Sequence, residues 1–260
     1  MRILVCVKQA IDVSQVKADP TTRRLITIGA PKKISDFDKN AVEEAVRLKE
    51  KLGGEVLTVT VGPEDARTTI REALAMGADK AYIINDIALQ EIDTSGTAYV
   101  LAEAIKKIGD FDLILCGEAS LDSFSGCVGS RLAEILDLPE ITFVKKLSVE
   151  SDTVFAERAL EDANEIISSK MPAVVTVTRE INEPRIPSLM MIMKASKKEI
   201  VTWTLAHLNV QKERINPKIE VIEALAPKME RKKIMIKGET LQEITEKLVR
   251  TLIQEGVLGR

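Results

Sequence analysis

A chain of 260 residues, 45% hydrophobic and 30% charged with a formal net charge of −3, suits one large α/β domain, or a domain with an appendage, and can bury a sizeable core. The charge balance excludes the basic footprint of a nucleic-acid binder, and an aromatic content of 3% disfavours base stacking on aromatic platforms. No apolar stretch is long enough to span a bilayer, and the opening MRILVCVKQA is charged too soon for a secretory signal and lacks the Arg/Ser-rich lead of a transit peptide.

Residues 2–7 (RILVCV) are predicted as a strand inside a sheet. Residues 8–24 are polar with a turn at Asp19-Pro20, and residues 25–28 suit a small hairpin arm. A helix follows, with Ala41, Ala45, Leu48 and Leu52 on one face, Asp36 or Asp38 as N-cap and Gly53-Gly54 as its stop. Its acidic pair, Glu43 and Glu44, is expected at solvated positions. Residues 55–61 (EVLTVTV) form the next strand, residues 65–76 a helix stopped by Gly77, and residues 80–84 a short strand. Asp93-Thr94 caps a helix that runs to Gly109, residues 111–116 are another strand, and residues 126–136 a helix. This alternation with short connections predicts a parallel sheet covered on both faces. From Ile141 the period changes to consecutive antiparallel strands, and residues 173–178 return to the sheet. Beyond residue 200 the composition shifts. Only residues 240–255 carry a long helical repeat there, so residues 1–200 read as a domain and 201–260 as a C-terminal arm.

Ligands of open parallel sheets gather at the carboxyl ends of strands, near a switch in strand order. Cys6 and Val61 end two such strands, and the small-residue stretch 117–131, GEASLDSFSGCVGSR, ends a third. Small residues let backbone N–H groups approach a phosphate, and a helix start adds unpaired donors and a positive dipole end. The same composition is common in ordinary βα loops, and neither GxxxxGK[ST] nor GxGxxG is present. The cysteines Cys6, Cys116 and Cys127 show no CxxC spacing, which fits a reducing cytoplasm and disfavours a metal site. The lone His207 reads as a surface or partly buried residue. No acid/base pair or nucleophile stands out, so the residues favour binding or carriage over side-chain catalysis.

Residues 171–200, MPAVVTVTREINEPRIPSLMMIMKASKKEI, start as a strand and leave the sheet at Asn182-Glu183-Pro184. Pro184 and Pro187 bracket Arg185 and keep it out of regular helix. The apolar run from Leu189 to Met193, followed by lysines, fits a docking surface. On the residues alone, a buried corner is the simpler reading.

That segment resembles the pattern of electron transfer flavoprotein beta subunits, in which LPAVVT leads to LN-PR, then SL, then IMKAKKK. ILVCVKQAID, DFDKNAVEEAVRLKE and TTIREALAMGADKAYII agree with it, so the resemblance covers residues 1–205 in order. It implies a three-layer fold of the adenine nucleotide alpha hydrolase-like class. It also implies an alpha subunit whose FAD is shared, and AMP in this subunit or, in electron-bifurcating members, a second FAD. Carried over by position, the nucleotide site comprises Cys6, Ser35, Asp36, Phe37, Asp38, Val61, Ser120, Leu121, Asp122, Ser123, Phe124, Ser125, Gly126, Cys127, Val128, Gly129, Ser130 and Arg131, with backbone donors dominant. Phe37 matches an aromatic near the partner's flavin, and Arg158 and Glu165 match positions near the subunit interface. The resemblance makes Arg185, Ile186, Pro187, Ser188, Leu189, Met190, Met191, Ile192, Met193 and Lys194 the docking segment for acyl-CoA or other flavin dehydrogenases and a quinone reductase, with Leu189 as anchor. It reverses the simpler reading of a buried corner. The terminal helix is expected to pack on the alpha subunit.

The departures are Ala159 where the family carries an acid, Val13 where an aromatic is frequent, Met190 in place of a proline, and LDSFSG in the nucleotide loop. Trp203 and the segment KIEVIEALAPKMERKK look closer to FixA-type and bifurcating members. Three functions compete. One is an AMP-binding electron-carrier subunit that performs no catalysis by itself. Another is a bifurcating subunit with its own FAD that oxidises NADH. The third is a stand-alone nucleotide sensor of universal-stress type, disfavoured because Gly126, Gly129 and Ser130 lack that group's Gly-x2-Gly-x9-Gly-Ser/Thr spacing.

Overall fold

The structure is a computed structural model that describes residues 1–228 and 232–258; residues 229–231 and 259–260, all within the expected C-terminal arm and partly within its KIEVIEALAPKMERKK segment, lie outside the described residues. The chain opens with β1 (Arg2–Cys6), then three short strands β2 (Gln9–Ile11), β3 (Lys17–Ala18) and β4 (Leu25–Ile26), then β5 (Lys32–Ile34). An alternating series follows: α1 (Asp36–Leu52), β6 (Glu55–Val61), α2 (Ala66–Met76), β7 (Lys80–Ile84), α3 (Thr94–Ile108), β8 (Leu113–Gly117) and α4 (Val128–Leu136). The antiparallel strands β9 (Glu140–Glu150), β10 (Thr153–Ala159) and β11 (Asn164–Lys170) precede β12 (Ala173–Val177), α5 (Leu189–Ala195), β13 (Ile200–Trp203), the single turn α6 (Lys212–Ile215) and α7 (Leu241–Gln254).

The main sheet has nine strands among the described residues, ordered β11-β10-β9-β12-β8-β1-β6-β7-β13. From β9 to β11 the pairing is antiparallel, and the rest of the sheet is parallel. Strand periodicity builds the layers. Ile3 and Val5 enter one core with Ala41, Val42, Ala45 and Val46 of α1 and Ile70 of α2. Their neighbours Leu4 and Cys6 enter the other, with Val100, Leu101 and Ile105 of α3 and Leu132 of α4. A parallel sheet between two helical layers is the three-layer architecture expected. The edge strand β13 pairs with β7 across the point where the sequence divides domain from arm, and Ile215 joins the second core.

Two expectations for α1 are corrected. Its N-cap is Ser35, and Asp36 and Asp38 sit in the first turn, the Asp38 side chain accepting from the backbone N–H groups of Lys8 and Gly117. Glu43 and Glu44 are not solvated: both are buried beneath residues 179–185, the segment that carries the chain out of β12. Glu44 accepts a hydrogen bond from Asn182 Nδ2 at 3.0 Å. Glu43 accepts from Arg185 Nε at 2.8 Å and from Arg47 Nε at 2.6 Å, while Arg185 Nη1 donates to Glu50 at 2.6 Å. Burial pushes the Glu43 carboxyl up, but the side-chain and backbone hydrogen bonds of Arg185, then that of Arg47, outweigh it and hold it below the usual range. Replacing Arg185 by Ala leaves Glu43 buried with a single cation. It should cost about 2–4 kcal/mol, read as a lowered urea midpoint at pH 7. Arg185→Lys should recover part of this, because an ammonium cannot fork between two carboxylates.

Candidate functional site

The sheet order reverses beside β1. From β1 the chain moves outward through β6 and β7, then crosses back to place β8 on the other side of β1. The carboxyl ends of β1 and β8 therefore diverge into a crevice, the usual ligand position of an open α/β sheet. Asp38 holds those two ends together. Its carboxylate accepts from the backbone N–H of Lys8 at 2.7 Å and from that of Gly117 at 3.2 Å. Gly117 is required here: a Cβ would lie 2.5 Å from Asp38 Oδ1 and 2.6 Å from Phe37 Cβ. Burial lifts the Asp38 carboxyl to about 7; the hydrogen bonds of Lys8 and Gly117 and the Lys8 charge pull it down, and Asp122 pushes it up.

The loop after β8 is tied to this clamp. Lys8 Nζ pairs with Asp122 at 2.5 Å, and Leu121 N donates to the buried Ser35 Oγ at 3.3 Å. Ser120 and Ser123 hydroxyls meet at 2.7 Å, and Phe124 N donates to Ser120 O at 3.0 Å. The loop then reaches α4 through Gly126, at φ +62°, and Cys127, the N-cap, which makes no side-chain capping bond. The first-turn N–H groups of α4 have no partner within the helix. Cys127, Val128 and Gly129, at the positive end of the helix dipole, line the crevice.

The crevice is a cavity of about 1220 Å³. Of the expected residues, Cys6, Asp38, Val61, Ser120, Ser123, Ser125, Gly126, Cys127, Val128, Gly129 and Arg131 line it. Ser35, Asp36, Phe37, Leu121, Asp122, Phe124 and Ser130 are not among its lining residues. Ser35 and Asp122 brace the loop, and Asp36 pairs with Arg179 at 2.5 Å. Phe37 is buried, edge-on to Phe124 at 5.8 Å, with the Arg179 guanidinium 5.3 Å from its ring centre. Ser130 Oγ donates to Glu140 at 2.6 Å. Glu118, within the stretch 117–131 expected from the sequence, lines the cavity; sequence reasoning did not place Lys8, Cys116, Asp93 or Thr97 at the site, nor residues 217–221 of the arm, and all of these line it too. Cys116 follows from sheet register, one position beyond the pair Val5–Leu115. A hydrogen bond with Cys6, then burial, push its thiol well up. Burial, followed by repulsion from Glu180, raises the Glu118 carboxyl.

A second feature lies on the α1–α2 side. Pro187 and Ser188 lead into α5, a two-turn helix capped by Ser188 Oγ, which accepts from Met191 N at 3.4 Å. Ala195 packs inward, whereas Leu189 is 74% and Ile186 93% exposed, and Met190, Ile192 and Met193 are exposed beside them. Both ends are pinned: Arg185 by Glu43 and Glu50, and Lys198 by bonds from Nζ to Leu74 O and Ala78 O at the end of α2. Lys194 is exposed, and Arg185 is turned inward. At the far edge of the sheet, Arg158 pairs with Glu165 at 3.0 Å and donates to Thr142 O at 2.8 Å.

Residues 22–208 match the model of the electron transfer flavoprotein domain. The chain is 42% identical to the electron transfer flavoprotein subunit beta of Thermoanaerobacterium thermosaccharolyticum over 255 residues, 95% of this chain and 98% of that protein. The chain belongs to the electron transfer flavoprotein beta-subunit family. It is also 39% identical to the Bacillus subtilis beta subunit over 247 residues, 95% of each chain. With the caffeyl-CoA reductase-Etf complex subunit CarD of Acetobacterium woodii it shares 36% identity over 262 residues, 99% of this chain and all of that one. These beta subunits match the arm as well as the sheet domain. Among the described residues no helix is long and apolar enough to cross a membrane.

The clamp gives the site a testable pH signature. The folded-state value of about 7 lies above the ordinary 3.8, so the folded chain binds the extra proton between about pH 4 and 7, and Asp38's contribution to stability falls as pH rises through that window. Asn at this position has one acceptor for two N–H donors. Asp38→Asn should therefore cost roughly 1–3 kcal/mol at pH 7, and its deficit against the wild type in urea unfolding should widen on going to pH 5.

Proposed function

We propose that the chain is the nucleotide-holding and partner-docking subunit of a two-subunit electron carrier. It holds AMP in the crevice, supports an FAD shared with an alpha subunit, and presents α5 to acyl-CoA or other flavin dehydrogenases and to a quinone reductase. The observation that carries this reading is the pairing of two separate surfaces on one rigid frame. One is a cavity at the strand switch, faced by an uncapped helix start and small residues. The other is an exposed apolar row held at both ends. The cavity residues fit an adenylate, with hydroxyls and backbone donors on the α4 side and apolar side chains on the β6 side. On this reading the redox chemistry belongs to the flavin.

A second reading rests on cavity size. About 1220 Å³ exceeds the roughly 300–1,000 Å³ of ordinary small-ligand sites and leaves room beyond a mononucleotide. A second FAD, its adenylate half in the AMP position, would use that room and accept a hydride from NADH. The match to a subunit of a reductase-Etf complex supports the same reading.

Co-expression with the alpha subunit, denaturation and quantification of released nucleotides separates the two. One FAD and one AMP per heterodimer is the expected outcome of the first reading and sinks the second; two FAD and no AMP does the reverse. For docking, Leu189→Ala should slow electron transfer with the partner dehydrogenase about tenfold or more while nucleotide content stays unchanged. Normal turnover with every partner would remove Leu189 from the docking surface.

A further inference from the structure

Part of the C-terminal arm lines the crevice, and the arm is fastened on either side of that stretch along the chain. On one side it is clasped to α3. Gln211 N donates to Tyr99 Oη at 3.1 Å, and the Arg214 guanidinium lies 3.9 Å from the Tyr99 ring centre. Ile215 is buried against Gly96, where a Cβ would come within 3.2 Å of both Ile215 O and Ile92 Cβ. Lys218 N donates to Asp93 Oδ2 at 2.9 Å, while the other oxygen of Asp93 caps α3 through Gly96 N at 2.8 Å. On the other side Leu225 bridges Arg24 in antiparallel fashion, and Ala226 N donates to Arg23 O at 2.9 Å, next to β4. Between these fastenings, residues 217–221 form part of the cavity wall.

The cavity lining is mixed. Ser120, Ser123, Ser125 and Arg131 bring polar groups, as do Asp93, Thr97, Lys218 and Glu220, while Val59, Val61, Ile92 and Leu101 are apolar, as are Ile219 and Val221 of the arm. Ile219 and Val221 both line the cavity, and they remain 62% and 78% exposed. An apolar pair left uncovered at a cavity lined by further apolar groups fits a flat heteroaromatic ring.

We infer that residues 215–226 are a clasped strap and that Ile219 and Val221 close the nucleobase end of the site, against Val59 and Val61, while the phosphate lies at the start of α4. The inference rests on the adenine-nucleotide reading above and adds to it a set of binding residues from outside the sheet domain. Because the strap is fastened at both ends, these side chains are held at the site. Retention of the nucleotide thereby depends on the arm.

The test uses the complete chain with its alpha subunit, stripped of nucleotide and reloaded with AMP, with ribose 5-phosphate as a probe that lacks the base. Ile219→Ala/Val221→Ala should raise the AMP dissociation constant about tenfold, chiefly through faster release, and leave ribose 5-phosphate binding unchanged. Ile222→Ala, on the same strap but outside the cavity lining, should release AMP at the wild-type rate. Wild-type AMP release from the double variant would overturn the strap and leave the nucleotide reading standing. Equal weakening of AMP and ribose 5-phosphate would overturn the base contact. A wild-type complex that binds neither AMP nor FAD in this subunit would overturn the nucleotide reading and the strap with it.

Discussion

The constraint on which the rest depends is the buried carboxylate of Asp38, bound to two backbone N–H groups from strands on opposite sides of the switch in sheet order. A crevice between diverging strand ends is a weak point in a parallel sheet, because its walls carry backbone groups that no neighbouring strand satisfies. One carboxylate has two oxygens and no hydrogens, which suits two inward-pointing N–H groups; an amide or hydroxyl does not. Burial makes this costly for the charged form and lifts the carboxyl to about 7. Lys8 sits beside it and turns its own ammonium to Asp122, so the clamp and the loop above share one electrostatic frame. Asp38 therefore ties the two walls of the crevice together, and the loop after β8 is tied to the same frame through Lys8 and Asp122.

What could be read from the residues was local. Asp93 was legible as a cap because its partner Gly96 lies three positions on. The strands β1, β6 and β8 were legible because each is a continuous apolar run, as a doubly covered strand must be. Asp38 was misassigned as a candidate cap because Gly117, which it serves, lies 79 residues away, and nothing in a helix-start pattern distinguishes an acid that caps from one that reaches across. Glu43 and Glu44 looked solvated for a related reason. Their burial is produced by the segment after β12, which arrives about 140 residues later with Arg185 and Asn182. Residues 217–221 show no periodicity, so their place at the cavity emerged only from the contacts of Ile215 and Lys218 with α3.

The resemblance and the bare residues each supplied something different. The small-residue loop alone left an ordinary βα turn open. The sheet order supports the proposed ligand crevice, because that loop ends the strand beside the switch. For residues 185–194 the structure separates two jobs that the sequence joined. Arg185 is an internal anchor, while Leu189, Met190, Ile192 and Met193 form the outward row. Flexible Met side chains on a helix of two turns suit a surface that packs against more than one partner.

The two surfaces are not independent, because α1 belongs to both. Its first turn supplies Asp38 to the crevice and Asp36 to Arg179. One helical turn on, Asn40 donates through Nδ2 to Asn182 O at 2.7 Å; then Glu44 receives Asn182 Nδ2, Glu43 receives Arg185, and Glu50 takes the other arm of the Arg185 guanidinium. Positions 36, 40, 43, 44 and 50 recur at helical spacing, so a single stripe of α1 carries the whole lead-in to α5. A helix of 17 residues packed on the sheet is stiff compared with the loops it holds. The exposed apolar row is thus fixed relative to the crevice through one element whose polar stripe is paired throughout and buried at Asn40, Glu43 and Glu44. On the proposed function, this stripe would let a partner seated on α5 meet the crevice in one geometry.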